Sequence, residues 1–240
     1  QLGFSEWFRD RWREALLPGN LPARVIEVNR GNCIVKFDER ELPAELTGNF
    51  LFSALSNSDM PCVGDWVTIR LCDNDTWALI QELLPRKSFL RRKTPGRVVD
   101  YQMIATNIDT AFIVQACDYD FNIRRLERYL VMVREGGIAP LVLLSKCDLI
   151  DSGELEGKIA RIRDSAIDCR IVALSNRTGR GLDEVGNLMV PGRTYCLIGS
   201  SGVGKTTLLN RMIGSDRLET GSVRNLKGKG RHITTRRQLV

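Results

Sequence analysis

The chain has 240 residues, of which 43% are hydrophobic and 27% are charged, and its formal net charge is +6. This composition is typical of a globular protein and gives room for one large domain or two modest ones. No apolar run approaches the roughly 20 residues that span a bilayer, and the N-terminal stretch does not resemble a signal peptide, so we expect a cytoplasmic protein with no membrane partner.

The first predicted element is an N-terminal helix within residues 1–19. Aromatic and aliphatic side chains recur there at helical spacing, and Pro18 and Gly19 end it. The runs ARVIEVNR, NCIVKFDE, DWVTIRLC and WALIQELL follow, with turn residues between them. Short runs at this spacing predict a small all-β barrel over residues 20–92, either OB-like or SH3-like. OB-like barrels often bind nucleic acid.

The pattern changes after residues 93–107, which are predicted to be a linker. Over residues 108–240, continuous apolar runs such as APLVLLS alternate with amphipathic segments such as NIRRLERYLVMVREGG. Strands that are apolar throughout are buried on both faces, so this half predicts an α/β domain with a parallel sheet.

The strongest motif is a phosphate-binding loop. The stretch from Gly199 to Thr206 matches GxxxxGK[ST] and lies between a predicted strand and a predicted helix. Its glycines let backbone N–H groups surround a phosphate, and the helix directs the positive end of its dipole there. Lys205 is expected to reach the β- and γ-phosphates, and the Thr206 hydroxyl to ligate Mg²⁺. The predicted phosphate-binding residues are Gly199, Ser200, Ser201, Gly202, Val203, Gly204, Lys205, Thr206 and Thr207.

Two further motifs predict that the base is guanine, and hence that the ligand is GTP or GDP. Residues 145–148, Ser145-Lys146-Cys147-Asp148, are close to the [NT]KxD element of GTPases. An aspartate there accepts from the ring N–H and the exocyclic amine of guanine, a donor pair that adenine lacks, while the lysine stem packs on the base. The stretch 173–185 resembles SAxTGxGL, in which a backbone amide meets the guanine carbonyl; Ser175 and Asn176 are the matching positions.

The order of these motifs is permuted. In most GTPases the P-loop comes first, whereas here both base-reading motifs precede it. This order, the preceding barrel and the stretches RRKTPG, GSSGVGKTTLLN and GKGRHITTRRQLV resemble the ribosome small subunit-dependent GTPase A family over essentially the whole chain. The resemblance implies an α/β P-loop GTPase domain, circularly permuted, preceded by a small OB-like barrel.

The resemblance also implies a function. It predicts a GTP-hydrolysing factor that assists late assembly of the small ribosomal subunit, is stimulated by that subunit, contacts its rRNA and acts as a monomer. GKGRHITTRRQLV looks like the family's switch segment, which makes Thr234 and Thr235 the candidates for a second Mg²⁺ ligand, Thr234 slightly ahead. His232 is a candidate to act near the γ-phosphate or in ribosome-dependent activation, or it is a solvent-facing histidine. The candidate catalytic residues are Lys205, Thr234 and His232.

The chain departs from the family pattern at several points. Ser145 stands where the family usually has Asn or Thr, which implies a shorter polar anchor and reduced base selectivity or affinity. Ile233 replaces the first threonine of the switch. No DxxG segment follows the switch, and the family's zinc ligands come later still. We therefore expect a piece of a longer protein, with Zn²⁺ bound only outside this chain.

Two alternatives remain open at this stage. The basic runs at residues 86–93 and 227–237 are either solvated loops or contacts to rRNA phosphates. The alternative function is a P-loop ATPase or kinase with an appended nucleic-acid-binding barrel, or a nucleic-acid-binding module whose nucleotide site is only regulatory.

Overall fold

The computed structural model describes residues 2–14, 19–29, 32–94, 101–165, 167–214 and 239. The chain divides into two units, and the boundary falls between Ile108 and Asp109. The short segment Gly192–Thr194 belongs to the first unit, although it lies far along the sequence. Among the described residues, no helix combines the length and the apolarity needed to cross a membrane.

Five strands of the first unit close into a barrel. They are β1 (Leu21–Val28), β2 (Cys33–Phe37), β3 (Arg40–Leu46), β4 (Trp66–Cys72) and β5 (Trp77–Leu83). Their order around the barrel is β1-β2-β3-β5-β4, and only β3 and β5 run parallel. Apolar side chains from all five strands fill the interior, including Val25, Val35 and Ile69. The barrel expected from the alternating runs is thus confirmed as a closed, OB-like barrel.

Two helices and a two-stranded sheet accompany the barrel. Helix α1 (Glu6–Glu14) buries Phe8 with Trp66 and Leu84, and helix α2 (Gly48–Ser53) follows β3, where the Thr47 side chain caps it. Strands β6 (Phe89–Lys93) and β7 (Tyr101–Thr106) pair as an antiparallel two-stranded sheet. The predicted linker at 93–107 therefore needs correction, because β7 lies inside it and its backbone pairs with β6.

A parallel sheet forms the centre of the second unit. Its strands are β8 (Thr110–Ala116), β9 (Ala139–Ser145), β10 (Ile171–Ala173) and β11 (Tyr195–Ile198). Their order is β10-β9-β8-β11, and every neighbouring pair is parallel. The sheet is buried as the continuous apolar runs predicted, with Phe112, Leu143 and Val172 in its core.

Among the described residues, one helix follows each of these strands. They are α3 (Ile123–Glu135), α4 (Ser152–Asp164), α5 (Leu182–Asn187) and α6 (Lys205–Ile213). The side chain of Asn122 caps α3 by accepting from the N–H of Arg125, and Asp151 caps α4 in the same way through the N–H of Glu154. Each strand therefore ends in a loop that leads to a helix, which is the arrangement that the α/β pattern predicts.

Candidate nucleotide-binding site

The predicted motifs within the described residues meet at one edge of the parallel sheet. Because β8 to β11 run parallel, their carboxyl ends lie side by side, where α/β sheets bind their ligands. The loops at this edge are residues 117–122, 146–149, 174–180 and 199–204. The last three contain the two base-reading motifs and the P-loop.

The P-loop has a backbone that requires glycine. Gly199 and Gly204 have φ values of 153° and 94°, which L side chains rarely adopt. A Cβ atom on Gly199 would lie 2.3 Å from the carbonyl oxygen of Val114 on the neighbouring strand β8. Gly204 starts helix α6, so the N-terminal end of that helix faces the loop, as phosphate binding requires.

Lys205 turns back over its own loop. Its ammonium nitrogen Nζ donates to the carbonyl oxygens of Gly199 at 2.9 Å and Ser200 at 2.6 Å. Burial lowers the pKa of Lys205, while the nearby Asp120 carboxylate acts in the opposite direction. A phosphate bound in the loop would offer the ammonium group of Lys205 charged oxygens in place of these two carbonyl oxygens. Charged oxygens are the stronger acceptors.

Both base-reading motifs are hydrogen-bonded to the P-loop. The hydroxyl of Ser145 is fully buried and donates to the carbonyl oxygen of Val203 at 2.7 Å. The side-chain amide of Asn176 donates to the carbonyl oxygen of Gly204 at 2.9 Å. Ser145 was expected to be a short anchor, yet it reaches the P-loop directly.

Lys146 is held by a carboxylate that the sequence analysis did not single out. Its backbone is left-handed, with a φ of 58°, and its Nζ lies 2.7 Å from Oδ2 of Asp118 in the β8–α3 loop. Burial pushes the pKa of Asp118 upward, but the hydrogen bond and charge of Lys146 prevail and hold it below its usual value. Asp118 therefore fixes the end of the side chain that is expected to pack on the base.

A second carboxylate in the same loop contacts the P-loop. Asp120 accepts a hydrogen bond from the Ser200 hydroxyl at 2.6 Å and pairs with Arg125 at 2.7 Å. Sequence reasoning missed Asp118, Asp120 and Arg125. For the two aspartates the available signal was position, because the stretch CDYDFN follows an apolar strand and so must lie at the carboxyl edge of a parallel sheet.

The remaining base-reading residues are placed differently from one another. Asp148 lies 3.3 Å from Nε of Arg177, whose side chain is 79% exposed and easily displaced. Ser175 accepts from the N–H groups of Arg177 and Thr178, which shapes the turn after β10. Cys147 is buried, and burial raises the pKa of its thiol. Only the backbone of Cys147 is therefore suited to contact a nucleotide.

The other predicted P-loop residues divide by burial. Val203 is buried and Thr206 is half-buried, whereas Ser201, Gly202 and Thr207 are exposed. The switch candidates His232, Thr234 and Thr235 lie outside the described residues, as does the basic run 227–237.

The basic run 86–93 does not form one continuous cationic surface. Arg86 forms a largely buried ion pair with Asp65 at 2.7 Å. Arg91 stacks over the rings of Phe89 and Tyr101. The exposed cationic side chains of this run are Lys87, Arg92 and Lys93. Only these three cations of the run are therefore open to solvent.

Comparison with known proteins supplies the family. The family model for the RsgA GTPase matches residues 83–240. A small ribosomal subunit biogenesis GTPase RsgA of Opitutus terrae is 37% identical over 248 aligned positions, which cover 100% of this chain and 67% of that protein. A second relative of that name, RsgA 2 of Lactiplantibacillus plantarum, is 40% identical over 92% of this chain and 62% of its own length. The chain thus spans about two thirds of the length of these relatives.

Solved structures agree on the fold. YjeQ from Thermotoga maritima matches with a TM-score of 0.65 and 23% identity, covering 80% of this chain and 65% of that one. YloQ, described as a circularly permuted GTPase, matches with a TM-score of 0.59 and 22% identity, covering 80% of this chain and 63% of its own. The permuted fold expected from the motif order is therefore confirmed. The chain belongs to the RsgA GTPase family.

Proposed function

We propose that this protein binds guanine nucleotides, hydrolyses GTP to GDP and phosphate, and assists late assembly of the small ribosomal subunit, which stimulates its activity. One observation carries the nucleotide part of the proposal: both base-reading motifs are hydrogen-bonded to consecutive carbonyls of one P-loop. The assembly role rests on the relatives, which are named small ribosomal subunit biogenesis GTPases. Neither the comparisons nor the site favours an ATPase or a kinase.

Different residues are proposed to bind the base and the phosphates. Asp148 accepts the two guanine donors, and the Lys146 stem lies on the base while Asp118 holds its ammonium group. The loop N–H groups, the start of α6 and Lys205 stabilise the charge of the phosphates and of the transferred phosphoryl group. His232 is proposed to act near the γ-phosphate or in ribosome-dependent activation. Because the small subunit is proposed to stimulate the activity, hydrolysis by the isolated protein should be slow.

Magnesium fits the proposed site through hydroxyl oxygens, the type of hard ligand that it prefers. Thr206 directly follows Lys205 in the first turn of α6, and Thr234 or Thr235 would supply a second hydroxyl. Bound Mg²⁺ would neutralise charge on the phosphate oxygens. Among the residues that the structure describes, no three His, Cys, Asp or Glu side chains come together as a metal site, and zinc stays a prediction outside this chain.

The ribosomal contact is proposed to use the barrel and the exposed cations Lys87, Arg92 and Lys93, together with the run 227–237. Such a surface would bind rRNA through its phosphates and its shape. A monomer in the cytoplasm is part of the same proposal.

Competition against a fluorescent GDP analogue tests the nucleotide assignment. GDP should bind at least about 100-fold more tightly than ADP, because the site's polar groups are left unpaired by adenine. Asp148→Asn should shift the preference toward xanthosine diphosphate, and Lys205→Ala, the control for the phosphate loop, should abolish binding. Equal affinity for ADP and GDP would sink the guanine assignment.

Turnover tests the ribosomal part separately. GTP hydrolysis is measured with and without purified small subunits, with large subunits as the matched control. We expect stimulation by the small subunit alone. A rate that small subunits leave unchanged would contradict this part of the proposal and leave the nucleotide assignment standing.

A further inference from the structure

Asn176 is expected to read the base through its backbone amide, yet its side chain makes a separate contact with the P-loop. Its Nδ2 donates to the carbonyl oxygen of Gly204 at 2.9 Å. Gly204 belongs to the P-loop and lies 28 residues later in the sequence. The same oxygen also accepts the first helical bond of α6 from the N–H of Leu208. The alanine of the SAxTGxGL pattern could not make this contact, because it has no donor.

The fit between the two residues is close. A Cβ atom on Gly204 would lie 2.8 Å from the Asn176 side-chain nitrogen, so the amide occupies the space that any other residue would fill. Because a carbonyl oxygen only accepts, this bond fixes which end of the amide faces Gly204. The Oδ1 atom is then buried with no partner among the described residues, which indicates that the amide is held for its donor.

Peptide geometry explains what the contact achieves. In a planar trans peptide the C=O and N–H groups point in opposite directions. When Asn176 holds the carbonyl of Gly204, the N–H of Lys205 in the same peptide must therefore point away from Asn176. Ser145, which holds the carbonyl of Val203, aims the N–H of Gly204 in the same manner. These are backbone donors of the loop that is expected to surround the phosphates.

We propose that Asn176 is a positioning residue that couples the base-reading loop to the phosphate-binding loop. Its side chain orients the peptide between Gly204 and Lys205 for the phosphates, while its own backbone lies at the base. Ser145 orients the preceding peptide. This inference rests on the proposed function, since it requires a guanine nucleotide in the site.

The test compares GDP with GMP, which lacks the β-phosphate. Asn176→Ala should weaken GDP binding roughly three- to ten-fold, the range of one buried hydrogen bond, and GMP binding by a smaller factor. Asn176→Asp keeps the shape but removes the donor, and it should weaken GDP binding at least as much. The matched control is Asn187→Ala, an exposed asparagine on α5, which should bind both nucleotides as wild type does.

A merely structural role would lower both affinities by the same factor, because partial unfolding scales them together. Equal losses for GDP and GMP, or wild-type GDP binding by Asn176→Asp, would therefore overturn the proposal. A double-mutant cycle with Ser145→Ala should give non-additive losses, since the two side chains hold adjacent peptides; additive losses count against the coupling. If wild type does not distinguish GDP from ADP, the proposed function fails, whatever the GDP-to-GMP comparison returns.

Discussion

Each unit of the molecule contains a cluster of polar side chains, and the two clusters differ in burial and in whether their partners are fixed. In the first unit, Asp65 is 0% exposed and its two oxygens accept four bonds. Arg86 supplies two of them, at 2.8 and 2.7 Å. The Thr106 hydroxyl and the N–H of Cys62 supply the others, at 2.6 and 2.7 Å. This cluster has no acceptor position left for a ligand.

The polar side chains at the nucleotide site have fewer partners, and some of these partners are exposed. Lys205 donates to two carbonyls of its own loop, and Lys146 to a single carboxylate. The Arg177–Asp148 pair is largely exposed on the arginine side, and one oxygen of Asn176 is buried without a partner among the described residues. A phosphate can replace the carbonyl partners of Lys205, and the base can replace Arg177, whereas Asp118 keeps its hold on Lys146.

Structural and functional polar networks can be distinguished by whether their partners are fixed or exchangeable. A buried charge whose partners are all fixed contributes to folding, because breaking it leaves an unpaired charge in the interior. A network at a sheet edge whose partners can be exchanged is suited to binding. If this division holds, the loss of stability on substitution should increase with burial and with the number of fixed partners.

The greatest loss of stability should follow substitution of Asp65. Asp65→Asn removes the charge that pairs with Arg86 and should lower the free energy of unfolding by about 3–5 kcal/mol. Urea unfolding measures this loss, and the midpoint should fall without a change in slope. A loss below about 1 kcal/mol would show that the closed network does not stabilise the barrel unit.

The sequence predicted those parts of the molecule whose signals are local. Strands β8 and β9 are continuous apolar runs, and the P-loop is defined by spacing within eight residues, so both were found. Strand β3 was not recognised, since only Leu42 and Ala44 point inward among charged neighbours. Strand β7 was assigned to a linker because it lies where the short alternating runs give way to continuous apolar ones.

Contacts between distant residues could not be predicted in the same way. The bond between Asp118 and Lys146 depends on β8 lying beside β9, and that of Asp120 with Ser200 depends on β8 lying beside β11. Arg86 was grouped with a basic run, because the sequence does not reveal that Asp65 lies beside it. The sequence therefore predicted the motifs of the site, whereas the contacts between its loops depend on strand order, which tertiary packing decides.

An intermediate effect is expected at Asp118. The folded pKa of Asp118 lies below its usual value, so its stabilisation is present above the unfolded carboxyl pKa of about 3.9 and is lost as the pH falls through the folded value. Asp118→Asn should therefore lower the free energy of unfolding by about 1 kcal/mol near neutral pH, and by less near about pH 3, which lies below the unfolded pKa.

Unfolding curves of wild type and Asp118→Asn across this pH range measure the effect. The same substitution in a Lys146→Met background serves as the control, because the partner charge is then absent. A loss that is equal at both pH values, or that persists in the Lys146→Met background, would assign the effect of Asp118 to something other than Lys146.

The smallest effect is expected at an exposed ion pair. Arg170 and Glu184 lie 2.9 Å apart, almost as close as Arg86 and Asp65, but their side chains are 54% and 49% exposed. Water screens such a pair, so Glu184→Gln should change the free energy of unfolding by about 0.5 kcal/mol or less, and high salt should reduce even that. Urea unfolding at low and high salt checks both points. A loss comparable to that of Asp65→Asn would mean that distance, rather than burial and the number of fixed partners, ranks the ion pairs of this protein.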